Sequence, residues 1–514
     1  EAAQVYKYSS KGKLTKITAA DGSKDTLTYK ANGIDLSTKT NADGSKYTYT
    51  YVQKDGKDTH KVDTVTSKTG VKAKYDYDEF GSSYQTKVTA SSGDLYIASS
   101  CVYRHYGNFV DNATDAEGNV TNFTYDESKG QLLYRDDAKG YRMAFTYDDK
   151  YRLTRVYDDT DKDAVYDAGE SSVQYVYNSK GYLYQIVTAT TTYKFNYDVY
   201  GNVTSITNGD SSVPYASYTY NSYNGKLKSE TYADGTVLTY TYDNLDRVKS
   251  VNRGNDLLYS VTYDGNGNLS SYTEGGMDGK KYEYEYDSIG RLIRSNVSKA
   301  DGSTLDLRDE NVYDAVGRLS RYTYKVKGFG TRYTQYNYDA NGRLSKHRIA
   351  NGDETSYSYD SLDRVSSKST AHDLNSSYTF TEEYTYWTDD DDANKTSTKV
   401  AAVAYKCDGK TWVDLRYVYD ANGNVRQVVD YANYKYDSFT YAYDSKNQLI
   451  TEALFFNNSS KRITYTYDNS GNILKKKNIE YGYTSSAWGD LLTSYDGHTI
   501  TYNNAGYPTS YPIK

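Results

Sequence analysis

Proline is almost absent from this chain: three in 514 residues, at Pro214, Pro508 and Pro512. That excludes proline-rich linkers, the usual stiff spacers between domains. Cysteine is as scarce. Cys101 and Cys407 stand far apart and indicate neither a disulfide framework nor a metal site. The five histidines, His60, His105, His347, His372 and His498, have no metal-ligand spacing. No apolar run is long enough to span a membrane, so no membrane insertion is expected. The formal net charge is −7, against the basic footprint of a nucleic-acid binder, so no nucleic-acid partner is expected. Glu1-Ala2-Ala3-Gln4 have neither a basic nor an apolar leader character, and no initiator Met precedes them. This fits a piece of a longer protein rather than a signal peptide.

Apolar bulk is low as well. Hydrophobic residues make up 37% of the chain, and 66 residues are tyrosine. Without tyrosine, and counting glycine, the apolar share is about 32%, where ordinary domains run about 45–50%. A thick core along the whole length is therefore excluded. Tyrosine suits a sheet one layer thick and wet on both faces, because its ring packs while its hydroxyl reaches water. Low hydrophobicity alone would also suit disorder, but disorder does not produce strict alternation and regular turn spacing.

The chain is organised by one motif. Tyr338-Asp339-Ala340-Asn341-Gly342-Arg343-Leu344 recurs as Tyr286-Asp287-Ser288-Ile289-Gly290-Arg291-Leu292 and as Tyr313-Asp314-Ala315-Val316-Gly317-Arg318-Leu319. Related copies run from Tyr242 to Val248, Tyr359 to Val365, Tyr419 to Val425 and Tyr467 to Ile473. Roughly fifteen clear copies stand about 20–35 residues apart, the spacing of repeat architectures. Ahead of each Tyr-Asp the residues alternate: Tyr282, Tyr284 and Tyr286 with Glu283 and Glu285, or Tyr47, Tyr49 and Tyr51 with Thr48 and Thr50. A period of two is that of a β-strand, and Tyr and Thr favour strands. Asp-x-x-Gly is turn chemistry, and Leu344 opens the returning strand. Asp21-Gly22, Asp43-Gly44, Asp234-Gly235, Asp301-Gly302 and Asn351-Gly352 mark the second turn of a repeat. The predicted fold is all-β, a long antiparallel meander of hairpins. About 20 hairpins at ~4.8 Å per strand give a strip on the order of 190 Å long, enough for one or two coils.

One continuous repeat region is expected over 1–514. Copies are degenerate over 1–124 (Tyr8 to Leu14, Tyr29 to Leu36, Tyr77 to Gly81) and regular over 125–370. An irregular insertion occupies 371–418, and repeats with a closing segment fill 419–514. Between Leu374 and Trp412 lies the acidic run Asp389-Asp390-Asp391-Asp392, expected as a solvated loop, with a cation site as the alternative.

A second acidic stretch is more specific. In Asp159-Thr160-Asp161-Lys162-Asp163-Ala164-Val165-Tyr166-Asp167-Ala168-Gly169-Glu170 the acids fall at the first, third, fifth, ninth and twelfth positions. That is the ligand spacing of an EF-hand-like calcium loop. Asp159, Asp161, Asp163, Asp167 and bidentate Glu170 are the candidate Ca²⁺ ligands, with the Val165 carbonyl at the seventh position. Two features depart from the pattern: Ala164 replaces the usual glycine, and the flanks read as strands.

The Tyr-Asp-x-x-Gly-Arg-Leu motif with its spacing resembles the RHS, or YD, repeat family, and the resemblance covers nearly the whole chain. It implies a β-sheet strip that spirals into a hollow or partial shell. In bacterial relatives such a shell encloses a C-terminal toxin, and in animal teneurins it supports adhesion. Trp488 through Pro508 looks like the last part of the repeat region in large secreted or wall-associated bacterial members. The family's self-cleaving core carries an Asp-Pro motif. Here the prolines follow Val213, Tyr507 and Tyr511, so no catalytic residues are carried over.

Other chemistry is weakly signalled. Paired carboxylates could cleave sugars, but Asp287, Asp314 and Asp339 read as turn residues, with Arg291, Arg318 and Arg343 available to carboxylates of the neighbouring repeat. A Gly-x-Ser-x-Gly elbow is missing, and Asp408-Gly409-Lys410-Thr411 lacks the phosphate loop's first glycine, with Ala404 in its place. No enzyme is expected. The expectation is a structural shell segment of a secreted or surface bacterial protein, with its own C-terminal effector as partner. The alternatives are an adhesin for a glycan or partner protein, with Trp387, Trp412 and Trp488 as binding candidates, and a structural fibre.

Overall fold

The computed structural model describes residues 4–19, 21–104, 107–209, 211–350, 352–372, 378–432, 438–456, 459–485, 488–504 and 506–511. His105, Asn351, Leu374, Pro512 and the first three residues lie outside them. The fold is an all-β meander of 43 strands, with a final two-stranded ribbon, Thr501–Tyr502 against Pro508–Ser510. Consecutive strands pair antiparallel.

Each copy of the motif builds the same turn. Strand Lys280–Tyr286 pairs with Leu292–Lys299, and the register jumps between Glu285 and Tyr286 so that Tyr286 faces Leu292. The same bulge precedes Tyr313, Tyr338 and Tyr359. The Asp287 N–H donates to the Arg291 carbonyl at 2.9 Å, and the Gly290 N–H to the Asp287 carbonyl at 3.1 Å. Gly290 has φ 84°, a conformation that costs glycine little. Asp287 Oδ1 accepts the N–H groups of Ile289 and Arg291, both at 3.0 Å, so the carboxylate holds the loop closed. Tyr77 to Gly81 departs from this. There strand Lys72–Phe80 runs straight through Tyr77-Asp78 in unbroken register with Ser83–Ser92.

The tyrosine hydroxyls are not left to water, as expected from composition. The motif tyrosine donates to the backbone carbonyl that opens the returning strand one repeat earlier. Tyr286 bonds Leu269 at 2.9 Å, Tyr313 bonds Leu292 at 2.9 Å, Tyr338 bonds Leu319 at 2.9 Å and Tyr359 bonds Leu344 at 2.8 Å. The bond recurs from Tyr29 to Tyr467. It explains why the position holds tyrosine rather than phenylalanine. Tyr338→Phe is expected to cost about 1 kcal/mol. A lower urea midpoint at unchanged slope would show it; an unmoved midpoint would mean that the bond adds nothing over water.

The arginines do more than the expected pairing with the neighbouring repeat, which Arg343 makes with Asp363 at 2.5 Å. They pair first with the aspartate of their own turn: Arg291 Nε to Asp287 Oδ2 at 2.6 Å, Arg318 to Asp314 at 2.8 Å and Arg343 to Asp339 at 2.8 Å. So oriented, each guanidinium lies over the motif tyrosine of the next repeat, Arg291 on Tyr313 at 4.5 Å and Arg318 on Tyr338 at 4.3 Å. That geometry adds a cation–π contact to the ion pair. Where asparagine replaces arginine, as at Asn268, its amide donates to Asp264 Oδ2 at 3.0 Å. Ring stacking, ties and turn networks replace a core. Fully buried apolar side chains such as Val251, Ala144 and Ala216 are few among the described residues, and most strand positions are half-buried.

The chain divides into two compact units. The first comprises Glu1–Asn119, Val261–Tyr417 and Val429–Tyr436; the second comprises Val120–Ser260, Val418–Val428 and Asp437–Lys514. Within the first, turns far apart in sequence meet: Lys68 Nζ on the Ala340 carbonyl at 2.6 Å, Thr69 on Asp363 at 2.6 Å, Tyr96 on Asp392 at 2.6 Å. These partners are 272 to 296 residues apart. Within the second, Lys139 meets Asp420, Asn422 meets Asp137 and Asn503 meets Asp234, at separations of 281, 285 and 269. In each unit, therefore, two courses of the meander are joined turn to turn, with nearly the same offset.

Candidate functional site

The acidic stretch singled out by its spacing is the connection between strands Leu153–Asp159 and Ser172–Tyr177, in the second unit. Both flanks are strands, as read from sequence. Asp159, the last residue of its strand, has no exposed side-chain surface. Its Oδ2 accepts the Ala164 N–H at 3.1 Å, and its Oδ1 is buried with no hydrogen-bond partner. Ala164 has φ 65°, so the sixth position takes the left-handed turn that glycine usually provides. For a residue with a β-carbon this costs roughly 1–2 kcal/mol.

Glu170 closes the loop. It is buried; Oε1 accepts the Thr160 N–H at 2.8 Å and Oε2 the Asp167 N–H at 3.0 Å. Asp163 Oδ1 accepts the Val165 N–H at 2.7 Å. Carboxylate oxygens of Asp159, Asp161 and Glu170 lie within 4.8 Å of one another, and so do those of Asp161, Asp163 and Asp167. All five acids of the pattern thus converge in two groups that share Asp161. Val165 is exposed on the loop. The Asp167 carboxyl is pushed up from its ordinary value, first by lost hydration, then by repulsion from Asp161, Asp163, Glu170 and Asp159. A cavity of about 510 Å³ opens beside the loop, lined among others by Arg135, Arg142, Asp158, Lys162 and Lys446.

The other sequence candidates are used structurally. The Asp389 to Asp392 run is not simply solvated. Asp389 pairs with Lys395 at 2.7 Å, and Asp392 accepts the Tyr96 hydroxyl across the seam of the first unit. Trp488 packs on Tyr215 with centroids 5.2 Å apart, and Trp387 carries Lys395 over its ring at 5.8 Å. Trp412 is exposed, with Lys410 5.2 Å above its ring. Cys101 and Cys407 are free thiols.

Sequence reading missed a joint beside Trp488. Asp490 Oδ2 accepts the Tyr193 hydroxyl at 3.0 Å, its Oδ1 accepts the Asn472 amide at 3.1 Å, and Thr190 donates to it as well. Gly489 lies so close to the Thr190 carbonyl that a β-carbon would collide with it. The only available signal was that Trp488-Gly489-Asp490 breaks the repeat pattern.

The repeat and the fold are similar to those of YD-shell proteins. Residues 150–389 match the family model described as Teneurin YD-shell. The match takes in just under half of the chain, and the repeat is similar to that of RHS/YD-repeat shell proteins. It is 26% identical over 230 residues to the tRNA3(Ser)-specific nuclease WapA of Bacillus spizizenii, a match covering 44% of this chain and 9% of that protein. Its fold resembles the Tc holotoxin pore of Photorhabdus luminescens, with a TM-score of 0.56 at 13% identity over 98% of this chain and 37% of that one. It also resembles the crystal structure of TcdB2-TccC3-TEV, with a TM-score of 0.54 at 13% identity, over 95% of this chain and 35% of that one. The chain thus spans a small part of these relatives.

Proposed function

We propose that this chain is part of a shell that encloses and presents a C-terminal effector of a longer, secreted or surface-exposed bacterial protein. The observation that carries this reading is the turn-to-turn joint. Groups 272 to 296 residues apart bond directly within the first unit, and side chains 269 to 300 apart within the second. A sheet that returns on itself at a nearly regular offset is suited to walling off a space, whereas an extended strip that never returned would place such turns far apart. The relative WapA is named as a nuclease, and the shared stretch is 9% of it. That suits a division of labour between a repeat wall and an active segment elsewhere. Among the described residues no helix is long and apolar enough to cross a membrane.

Negative-stain electron microscopy of this chain beside its intact parent tests the proposal. The expected result is a hollow particle with internal density in the parent and an emptier, partial shell here. Straight rods without a lumen would overturn it. One feature favours adhesion as a second reading: Tyr223, Tyr200 and Phe329 are 99%, 85% and 78% exposed, and Trp412 is 60% exposed. Binding of this fragment to a glycan array, lost in Trp412→Ala, would favour that reading.

A further inference from the structure

We propose that the loop from Asp159 to Glu170 binds one Ca²⁺ ion, and that the bound ion stiffens the joint between the two courses of the second unit. The carrying observation is the Asp159 carboxylate. It is wholly buried at the base of the loop, and its Oδ1 has no hydrogen-bond donor. Buried polar atoms without partners are rare in folded proteins and call for a specific explanation.

The nearest cation does not provide one. Arg142 Nη1 is 3.8 Å from Asp159 Oδ2, on the other oxygen. That guanidinium is already held by Asp136, at 2.8 Å through Nε and 2.9 Å through Nη2, and Nη1 donates to the Lys162 carbonyl at 3.1 Å. Oxygens from Asp161 and Glu170 stand within 4.8 Å of an Asp159 oxygen and of each other. Ligands about 2.4 Å from a common ion are separated by at most about 4.8 Å, a condition that these three meet. Asp163 and Asp167 continue the oxygen set through Asp161. Carboxylates in a loop of this length suit Ca²⁺ better than Mg²⁺, which demands near-octahedral geometry and keeps its waters.

The loop is also part of the joint. Ser171, next after Glu170, donates to the Asn469 carbonyl, and the Asn469 amide donates to the Gly169 carbonyl at 2.9 Å. These residues are about 300 positions apart, and Asn469 lies in the turn Asp468 to Gly471. An ion that orders Gly169 to Ser171 would therefore order that turn. This inference rests on the loop alone and is independent of what the shell encloses.

The test is calorimetric titration of CaCl₂ into the full chain after treatment with a chelator, with hydrogen exchange read in parallel. The expected result is about one site per chain, with a dissociation constant in the roughly 10⁻⁷ to 10⁻³ M range of protein calcium loops and weaker binding of MgCl₂. Exchange should slow at 159–171 and at 468–471. Asp161 and Asp163 are exposed, so Asp161→Asn with Asp163→Asn should fold, as far-ultraviolet circular dichroism would show, and should bind about tenfold or more weakly. Ala164→Gly removes the left-handed strain and should tighten binding. No heat and no change in exchange at roughly ten times the weakest of these constants would overturn the proposal. So would undiminished binding in the double variant.

Discussion

Acidification is expected to unfold this chain in a steep, multi-proton transition below about pH 4. Eight motif aspartates are held below the ordinary carboxylate range: Asp148, Asp198, Asp243, Asp264, Asp287, Asp314, Asp339 and Asp420. For Asp148 and Asp243 the first cause is the hydrogen bond from Arg152 and Arg247; for Asp198 and Asp264 it is that from Asn202 and Asn268. In Asp287, Asp314, Asp339 and Asp420 partial burial pushes upward, and the bonds from the residue four positions on outweigh it. A carboxyl depressed in the folded state contributes stability above its unfolded value, and that contribution is lost as pH falls through the folded value. Every such group binds its proton more readily in the unfolded chain, so the repeats act in the same direction.

Asp158 opposes them, because burial raises its carboxyl and protonation there favours the folded state. Asp167 is raised as well, and two such groups do not offset eight. Urea melts followed by circular dichroism between pH 6 and pH 3 should show unfolding linked to several protons. Asp339→Asn with Asp314→Asn should reduce that number. A slope of one proton or fewer would mean that the turn carboxylates do not hold the sheet.

Gly489→Ala is expected to be the most damaging small substitution. The added β-carbon meets the Thr190 carbonyl, a backbone atom that cannot rotate aside. Overpacking of this kind costs about 1–3 kcal/mol, and more where backbone must move. The displaced segment also carries Asp490, so Tyr193, Thr190 and Asn472 lose their shared acceptor. Each polar group left without a partner adds about 1–3 kcal/mol if it stays buried. Faster hydrogen exchange at 188–193 and 470–473, together with a lower urea midpoint, is the expected signature. Asp490→Ala, which removes the acceptor without the collision, should give a weaker form of the same pattern. Unchanged exchange in both variants would show that this contact does not join the two courses.

The local devices of the fold were legible because they act over short distances. Alternation at Tyr282, Tyr284 and Tyr286 specifies a strand through the period of two. Asp-x-x-Gly specifies the turn, because Asp287 closes on N–H groups two and four residues on, and Gly290 takes the positive φ. The loop from Asp159 to Glu170 was legible for the same reason, as a spacing within twelve residues. Its details were not. Spacing could not say that Asp159 would be buried with one oxygen unmatched, or that Ala164 would accept the left-handed turn. The choice of partner for Arg291 was equally hidden. A guanidinium can reach either carboxylate, and only the turn's closure brings Asp287 to its Nε.

By itself, then, the sequence determined the repeat, its strands and its turns, since these follow from backbone preference and from contacts a few residues long. Only the tertiary structure decided where the tyrosine hydroxyls go and which turns meet. Tyr338 finds its carbonyl at Leu319, one repeat back, and Lys68 finds Ala340 across 272 residues. Such pairings depend on how strand twist and bulges add up over many hairpins, a cumulative geometry that no single motif encodes.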